Sequence, residues 1–465
     1  MLRLSNRINQ DLQDIRKWHT EHEEMACLNT VGDIPFYWLS TNRFARSLAS
    51  LVFRMPADRR QTTADALLIN VLTACCRRYP SRPQLAAALD HLYGASIDAH
   101  LDRQGDMQSI MLTVSALHQW TDQSSPFHDA IDVMFDLLLH PLMDQDGCFD
   151  REIVESERNN LRMEWLAREN DRGKFAYDRC VELLSGDQRH GISSLGDRDL
   201  LAKITQEDLK RSYQRLLSGS QVTCYVAGQR QPLVRRMIEE RLARLPVVQR
   251  PVYTPGSCPR SFTPQPMETV QEYKDVAQAR IIMAYQGLPP YFSFQTLLTS
   301  VMNNMLGGDV YSLLFDTVRE KMGLAYHVFS MNQRYLSMTF LMAGVAPEQV
   351  NAACEAMHAQ VEKMASGDFS DQLLKRALQM TETSIRSSGD DLGSMLQRQI
   401  AGMAHGRTLG TADMLSMLTG IGREDIRQIA ACLKPSGIYL LNRAAVDRPH
   451  GNDRQEDQDD SQHND

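Results

Sequence analysis

The segment Met305 to Val328 reads MLGGDVYSLLFDTVREKMGLAYHV. Its glycine pair, Gly307 and Gly308, lacks the GxxxxGK and GxGxxG spacings that cradle phosphate, so it reads as a tight turn. An apolar run, an Arg-Glu-Lys triplet and Gly-Leu-Ala-Tyr follow. Arg319 offers a planar fork of donors and Tyr326 a hydroxyl. On residue types alone, Arg319 reads as a partner for a nearby carboxylate and Tyr326 as a half-buried core aromatic.

Outward from this segment, the same order of elements occurs twice. A strand-like run (Ser47 to Met55; Ala279 to Tyr285) is followed by a helix with apolar residues at spacings of three and four. Another strand (Ser109 to Leu117; Leu336 to Val345), long helices and a closing strand (Gln221 to Ala227; Gly437 to Asn442) complete each copy. The order predicts an α+β fold of two duplicated domains, each an antiparallel sheet covered by helices. The length of 465 residues exceeds what one core supports, roughly 250 to 300 residues. The proline-rich stretch Leu245 to Pro266 reads as a linker between residues 1–244 and 267–445. Residues 446–465 read as a disordered acidic tail, since DRPHGNDRQEDQDDSQHND offers no aliphatic side chain to bury.

A net charge of -8 argues against nucleic acid as partner, because phosphate binding needs a basic stripe. No window holds the ~20 apolar residues of a membrane span. The nine cysteines form no CxxC pair, and the N-terminus turns charged before an apolar signal region forms. Free, mostly buried thiols in a reducing, cytoplasmic setting are expected. Cys75 and Cys76 are adjacent and read as structural thiols. His19 and His22 in WHTEHEEM read as part of a surface helix. No GxSxG elbow occurs.

Met305 to Val328 closely resembles the second-domain signature of the pitrilysin/insulinase peptidases. The resemblance implies a processing-peptidase-like fold in which Arg319 and Tyr326 bind the substrate backbone from across a central chamber. The first half resembles the same family from Asp65 onward, with Leu92, Tyr93 and Gly94 on its Leu-Gly-Gly turn. Counting back from that turn, the family's His-x-x-Glu-His motif falls on Leu67 to Val71, which here reads LLINV. Zinc there needs two imidazoles four apart on one helix face, with a glutamate as base. Leu67, Asn70 and Val71 supply neither. Ala64, Leu67, Leu68, Val71, Leu72 and Cys75 instead follow the buried stripe of an amphipathic helix, read over Asp65 to Tyr79. No HxxEH or HExxH occurs anywhere in the chain.

The stretch Arg151 to Asn170 resembles the family's helix bearing the third zinc ligand, which would be Glu164, and a second carboxylate, Glu157. With two ligands missing, both are expected to be vestigial. By residue type, Glu157, Arg158 and Arg162 suit a solvated charged face.

The resemblance is closest to bacterial members in which a motif-lacking chain is encoded beside a zinc-bearing one. It implies a non-catalytic subunit of a heterodimeric zinc metallopeptidase, with no cofactor in this chain. Zinc is expected in a homologous HxxEH-bearing partner, and hydrolysis of peptide only by the pair. A structural scaffold of the same fold, and an active zinc metalloendopeptidase with a divergent site, are the alternative readings.

Overall fold

A computed structural model describes residues 25–118, 125–253, 262–289, 294–404 and 409–443. His19, His22, Cys258 and the tail lie outside the described residues. The first half runs β1 (Met25–Val31), β2 (Ile34–Ser40), β3 (Arg46–Pro56), α1 (Arg59–Ala74), α2 (Arg82–His91), β4 (Ser96–Gln104) and β5 (Met107–Leu117). It continues through α3 (Pro126–Leu139), α4 (Arg151–Asn170), α5 (Arg172–Ser185), the single turn α6 (Arg198–Leu201), α7 (Gln206–Ser218), β6 (Gln221–Gly228) and α8 (Pro232–Leu242). The second half opens with β7 (Thr269–Lys274), β8 (Ala279–Gln286), α9 (Phe294–Leu306), a π-helical turn (Phe315–Lys321), β9 (Ala325–Gln333) and β10 (Met338–Val345). It closes with α10 (Val350–Ser366), α11 (Asp371–Ser387), α12 (Leu392–Ala404), α13 (Thr411–Leu418), α14 (Arg423–Ala431) and β11 (Lys434–Arg443).

The two sheets repeat one topology. The first has the order β1-β2-β6-β3-β5-β4 and the second β7-β11-β8-β10-β9. Short reversals join β2 to β3 and β7 to β8, and the closing strand of each half inserts into that gap. The closing strand therefore runs parallel to β2 or β7 and antiparallel to β3 or β8. One parallel pair in each sheet departs from the fully antiparallel expectation, for this reason.

The central strands β3 (RSLASLVFRMP) and β10 (MTFLMAGV) are buried along almost their whole length, so both faces of each sheet need an apolar cover. One face is covered by helices of the same half. In the first sheet these include α1, α3 and α7, and in the second α9, α10 and α14. The other face is covered by a helix from the opposite half. Ala176, Cys180 and Leu184 of α5 pack on Ile282, Phe340 and Tyr439 of the second sheet. Leu392, Met395, Leu396 and Ile400 of α12 pack on Val52, Met111 and Tyr225 of the first. Since α5 follows α4 as α12 follows α11, equivalent helices are exchanged.

The first helix differs from its sequence reading in extent and in surroundings. It starts at Arg59, because Asp58 caps it by accepting from the Gln61 amide at 3.0 Å. It stops before Cys75, where the backbone turns extended and Cys76 and Tyr79 exchange backbone hydrogen bonds. Every residue from Thr62 to Leu72 except Asn70 is buried, so α1 is a central helix and not an amphipathic one. Its one buried charge, Asp65, accepts from Ser212, from Gln108 Nε2 at 2.5 Å and from Arg215 Nη2 at 2.6 Å. Burial pushes this carboxyl up, against the pull of Arg215, Ser212 and Gln108. The cluster ties α1 to β5 and α7.

The stretch between the halves is pinned to the body. Arg250, with its side chain 2% exposed, meets Asp33 at 3.3 Å and donates to the Leu217 and Pro246 carbonyls. Farther on, the Gln265 amide donates to the Leu184 carbonyl at 2.7 Å. Among the described cysteines Cys75, Cys76, Cys180 and Cys224 are buried, whereas Cys27 and Cys432 are exposed, fewer buried thiols than the sequence reading expects.

Two outcomes follow from this packing. Expressed alone, residues 1–244 or 267–445 should aggregate or bind a hydrophobic dye, and co-expression should restore solubility; a soluble, cooperatively melting single half would contradict the helix exchange. Asp65→Ala leaves Arg215 unpaired against the core and should cost about 3 kcal/mol in chemical denaturation.

Candidate functional site

The glycine pair of the signature serves close chain approach. A Cβ on Gly307 would lie 2.5 Å from the Ser330 amide nitrogen and 2.7 Å from a Leu314 methyl. The Gly307 carbonyl accepts from that Ser330 amide at 3.1 Å, which seats the end of α9 against β9. The chain then enters the π-helical turn Phe315–Lys321, where the Met322 amide reaches back five residues to the Thr317 carbonyl. Such widened turns concentrate at functional sites.

Arg319 lies on this turn and is exposed. Its guanidinium sits 4.5 Å from the Phe315 ring centroid and 6.0 Å from that of Tyr326. Its ion pair is with Glu320 at 3.4 Å, both side chains being open to solvent, and such a contact is worth little. Tyr326 is 75% exposed. In the ladder Gly344 pairs with His327 and Val345 with Ala325, so Tyr326 is the extra residue of a β-bulge, a device that re-aims a side chain. Two local irregularities thus bring Arg319, on the turn, close to Tyr326 on β9, an edge strand of its sheet.

The other predicted residues separate. Glu157 is 2% exposed and accepts from Arg82 at 2.9 and 2.6 Å and from Asn160 at 3.0 Å. It is a buried, fully engaged carboxylate, which corrects the solvated-face reading. Arg158 likewise turns inward, donating to the Leu201 and Ile204 carbonyls. Glu164, two turns on, is exposed. On α1, Leu67 and Val71 are buried in the main core of the first half. Burial, with help from Cys76 and Asp150, pushes the nearby Cys75 thiol up to about 11, which keeps it protonated and a poor ligand. Among the described residues no group of three His, Cys, Asp or Glu is arranged to hold a metal. The donor set at α1 does not fit zinc.

Sequence reading passed over Arg280 and Gly344, although each interrupts an otherwise apolar strand, ARIIMAYQ and MTFLMAGV. It also gave no weight to Tyr93, which takes a left-handed backbone (φ 55) at the place where the resemblance expects glycine, a conformation that costs a non-glycine residue about 1 kcal/mol.

A sequence profile for the peptidase M16 inactive domain matches residues 203–381. A probable inactive metalloprotease of Bacillus subtilis is 24% identical over 422 residues, which cover 88% of this chain and 96% of that relative. The chain is a homologue of the M16 peptidases. A conserved protein from Enterococcus faecalis shares the M16-like fold with a TM-score of 0.82 at 19% identity, over 91% of this chain and 100% of that one. The peptidase M16 inactive domain of Pseudomonas fluorescens follows with a TM-score of 0.73 at 15% identity, over 92% and 100%. No helix among the described residues is long and apolar enough to cross a membrane.

This M16 homologue, purified without added metal, should carry no stoichiometric zinc by elemental analysis. Leu67→His should lower stability by about 2–4 kcal/mol, through lost packing and an unpartnered buried imidazole; zinc-dependent stabilisation of that variant would contradict the assignment.

Proposed function

We propose that this chain is the non-catalytic subunit of a heterodimeric zinc metallopeptidase and supplies substrate-binding surface to an HxxEH-bearing partner. The observation that carries this reading is a contrast within one molecule. Arg319, on the π-helical turn, and Tyr326, on the edge strand β9, stand close together and open to solvent, while the helix that would bear the metal holds Leu67, Asn70 and Val71. An extended peptide adds to a sheet edge through main-chain hydrogen bonds. Arg319 and the Tyr326 hydroxyl then hold its carbonyls while the partner's metal supplies the hydrolytic chemistry. Positioning of this kind lowers a barrier by several kcal/mol without a reacting group in this chain. Zinc belongs to the partner in this scheme, and this chain holds no cofactor.

Co-expressed with an HxxEH-bearing homologue, the pair should cleave an internally quenched peptide, and this chain alone should not. Arg319→Ala in the pair should lower kcat/KM about tenfold at unchanged zinc content, the loss of one charge-assisted contact. Cleavage by this chain alone refutes the proposal, and unchanged turnover with Arg319→Ala favours a scaffold.

A further inference from the structure

In the second sheet Arg280 of β8, Gly344 of β10 and His327 of β9 stand in one row across three strands. Gly344 is the gap in that row. A Cβ there would lie 2.3 Å from both Arg280 Nη1 and His327 Cε1. Its absence lets the arginine reach over the middle strand to bring Nη1 2.8 Å from His327 Nε2. Arginine has no acceptor, so Nε2 is the bare nitrogen and Nδ1 carries the ring proton. Burial first, then Arg280 and Arg319, hold this imidazole below its usual range.

The positive charge of the row sits on Arg280, with Arg319 nearby at the His327 end. No carboxylate forms an ion pair with Arg280 among the described residues; its Nε is buried without a hydrogen-bond partner. Asp171, at the start of α5, is the one carboxylate whose field opposes the effect of burial on it. Arg319 has its solvent-exposed contact with Glu320. A half-buried guanidinium without a carboxylate partner is costly, and an anion accepting from Arg280 removes that cost. The row lies on the sheet face that α5 covers, beside Ile282 and Phe340. Tyr326 precedes His327 directly, and Phe329, 39% exposed, is two positions along on the same face of the edge strand.

We propose that Arg280, His327 and Arg319 form a carboxylate-recognition site that selects peptides presenting an acidic side chain or a free C-terminus next to Tyr326. This rests on the substrate-contact reading above and adds a specificity to it. A strand added along β9 places alternate side chains beside His327 and Phe329, so one carboxylate meets the guanidiniums while its neighbour meets the phenyl ring. A guanidinium fork recognises a carboxylate in two parallel hydrogen bonds, which a neutral amide cannot reproduce.

Fluorescence anisotropy on the full-length chain tests this with four labelled peptides of one extended sequence. Each carries a central Glu or Gln and ends as a free acid or an amide. At low salt the best carboxylate-bearing peptide should bind about tenfold more tightly than the Gln amide. The Glu amide and the Gln acid tell a side-chain carboxylate from a C-terminal one. Arg280→Gln should abolish the preference and leave the weaker binding of the Gln amide. Should that variant fail to fold, loss of the wild-type preference on raising salt takes its place. Equal binding of all four peptides, with Arg319→Ala still weakening each, overturns the carboxylate site alone. A preference that survives Arg280→Gln or high salt does the same. No binding of any peptide overturns the substrate-contact reading itself.

Discussion

Each sheet in this molecule has two apolar faces, and the helices of its own half cover only one of them. The exchange of α5 and α12 satisfies both sheets with one device, and it locks the halves into a single arrangement. Tyr177 on α5 packs edge-on against Phe340 at 5.1 Å, and Arg179 on the same helix pairs with Glu272 of β7 at 2.8 Å. The helix that carries Glu157 and Glu164 runs straight into this crossing element. Glu157 and Glu164, on the helix before α5, and the second sheet that carries Tyr326 are therefore linked through this crossing helix.

The same economy governs the helix on which the resemblance would place a metal. A helix that presents imidazoles to a chamber must leave one face polar. Here α1 is buried from Thr62 to Leu72 except at Asn70, fastened at Asp65 and lined with Leu67, Leu68 and Val71. Glu157 is held in the interior by Arg82 and Asn160, which occupy its oxygens. What the resemblance treats as remnants of catalysis now serve packing and internal charge balance.

Much of the fold was legible in the sequence. The strands at Ser47 to Met55 and Ala279 to Tyr285 are apolar runs bounded by turn residues, and the helix at Arg151 to Asn170 agrees at both ends. Local signals missed or misjudged include the Asp58 cap, which starts α1 six residues early. Other features are non-local by nature. An apolar pattern shows that a face is covered but not by which segment, so the helix exchange was invisible. Glu157 looked solvated because Arg82 lies far away in sequence. The π-helical turn and the bulge at Tyr326 each insert a residue into a regular element, and periodicity averages such insertions away. Arg319 and Tyr326 were found through motif resemblance; Arg280 needed the strand register that sets it opposite Gly344.

The enclosure of α1 has an evolutionary consequence. Building the motif that the resemblance expects would require coordinated substitutions at Leu67, Asn70 and Val71, and a histidine placed alone at either buried position would put a polar ring in a dry layer. Selection for stability therefore opposes each first step back. Loss of the reaction in such a lineage behaves as a ratchet, and the chain's future adaptation is confined to surfaces that remain wet.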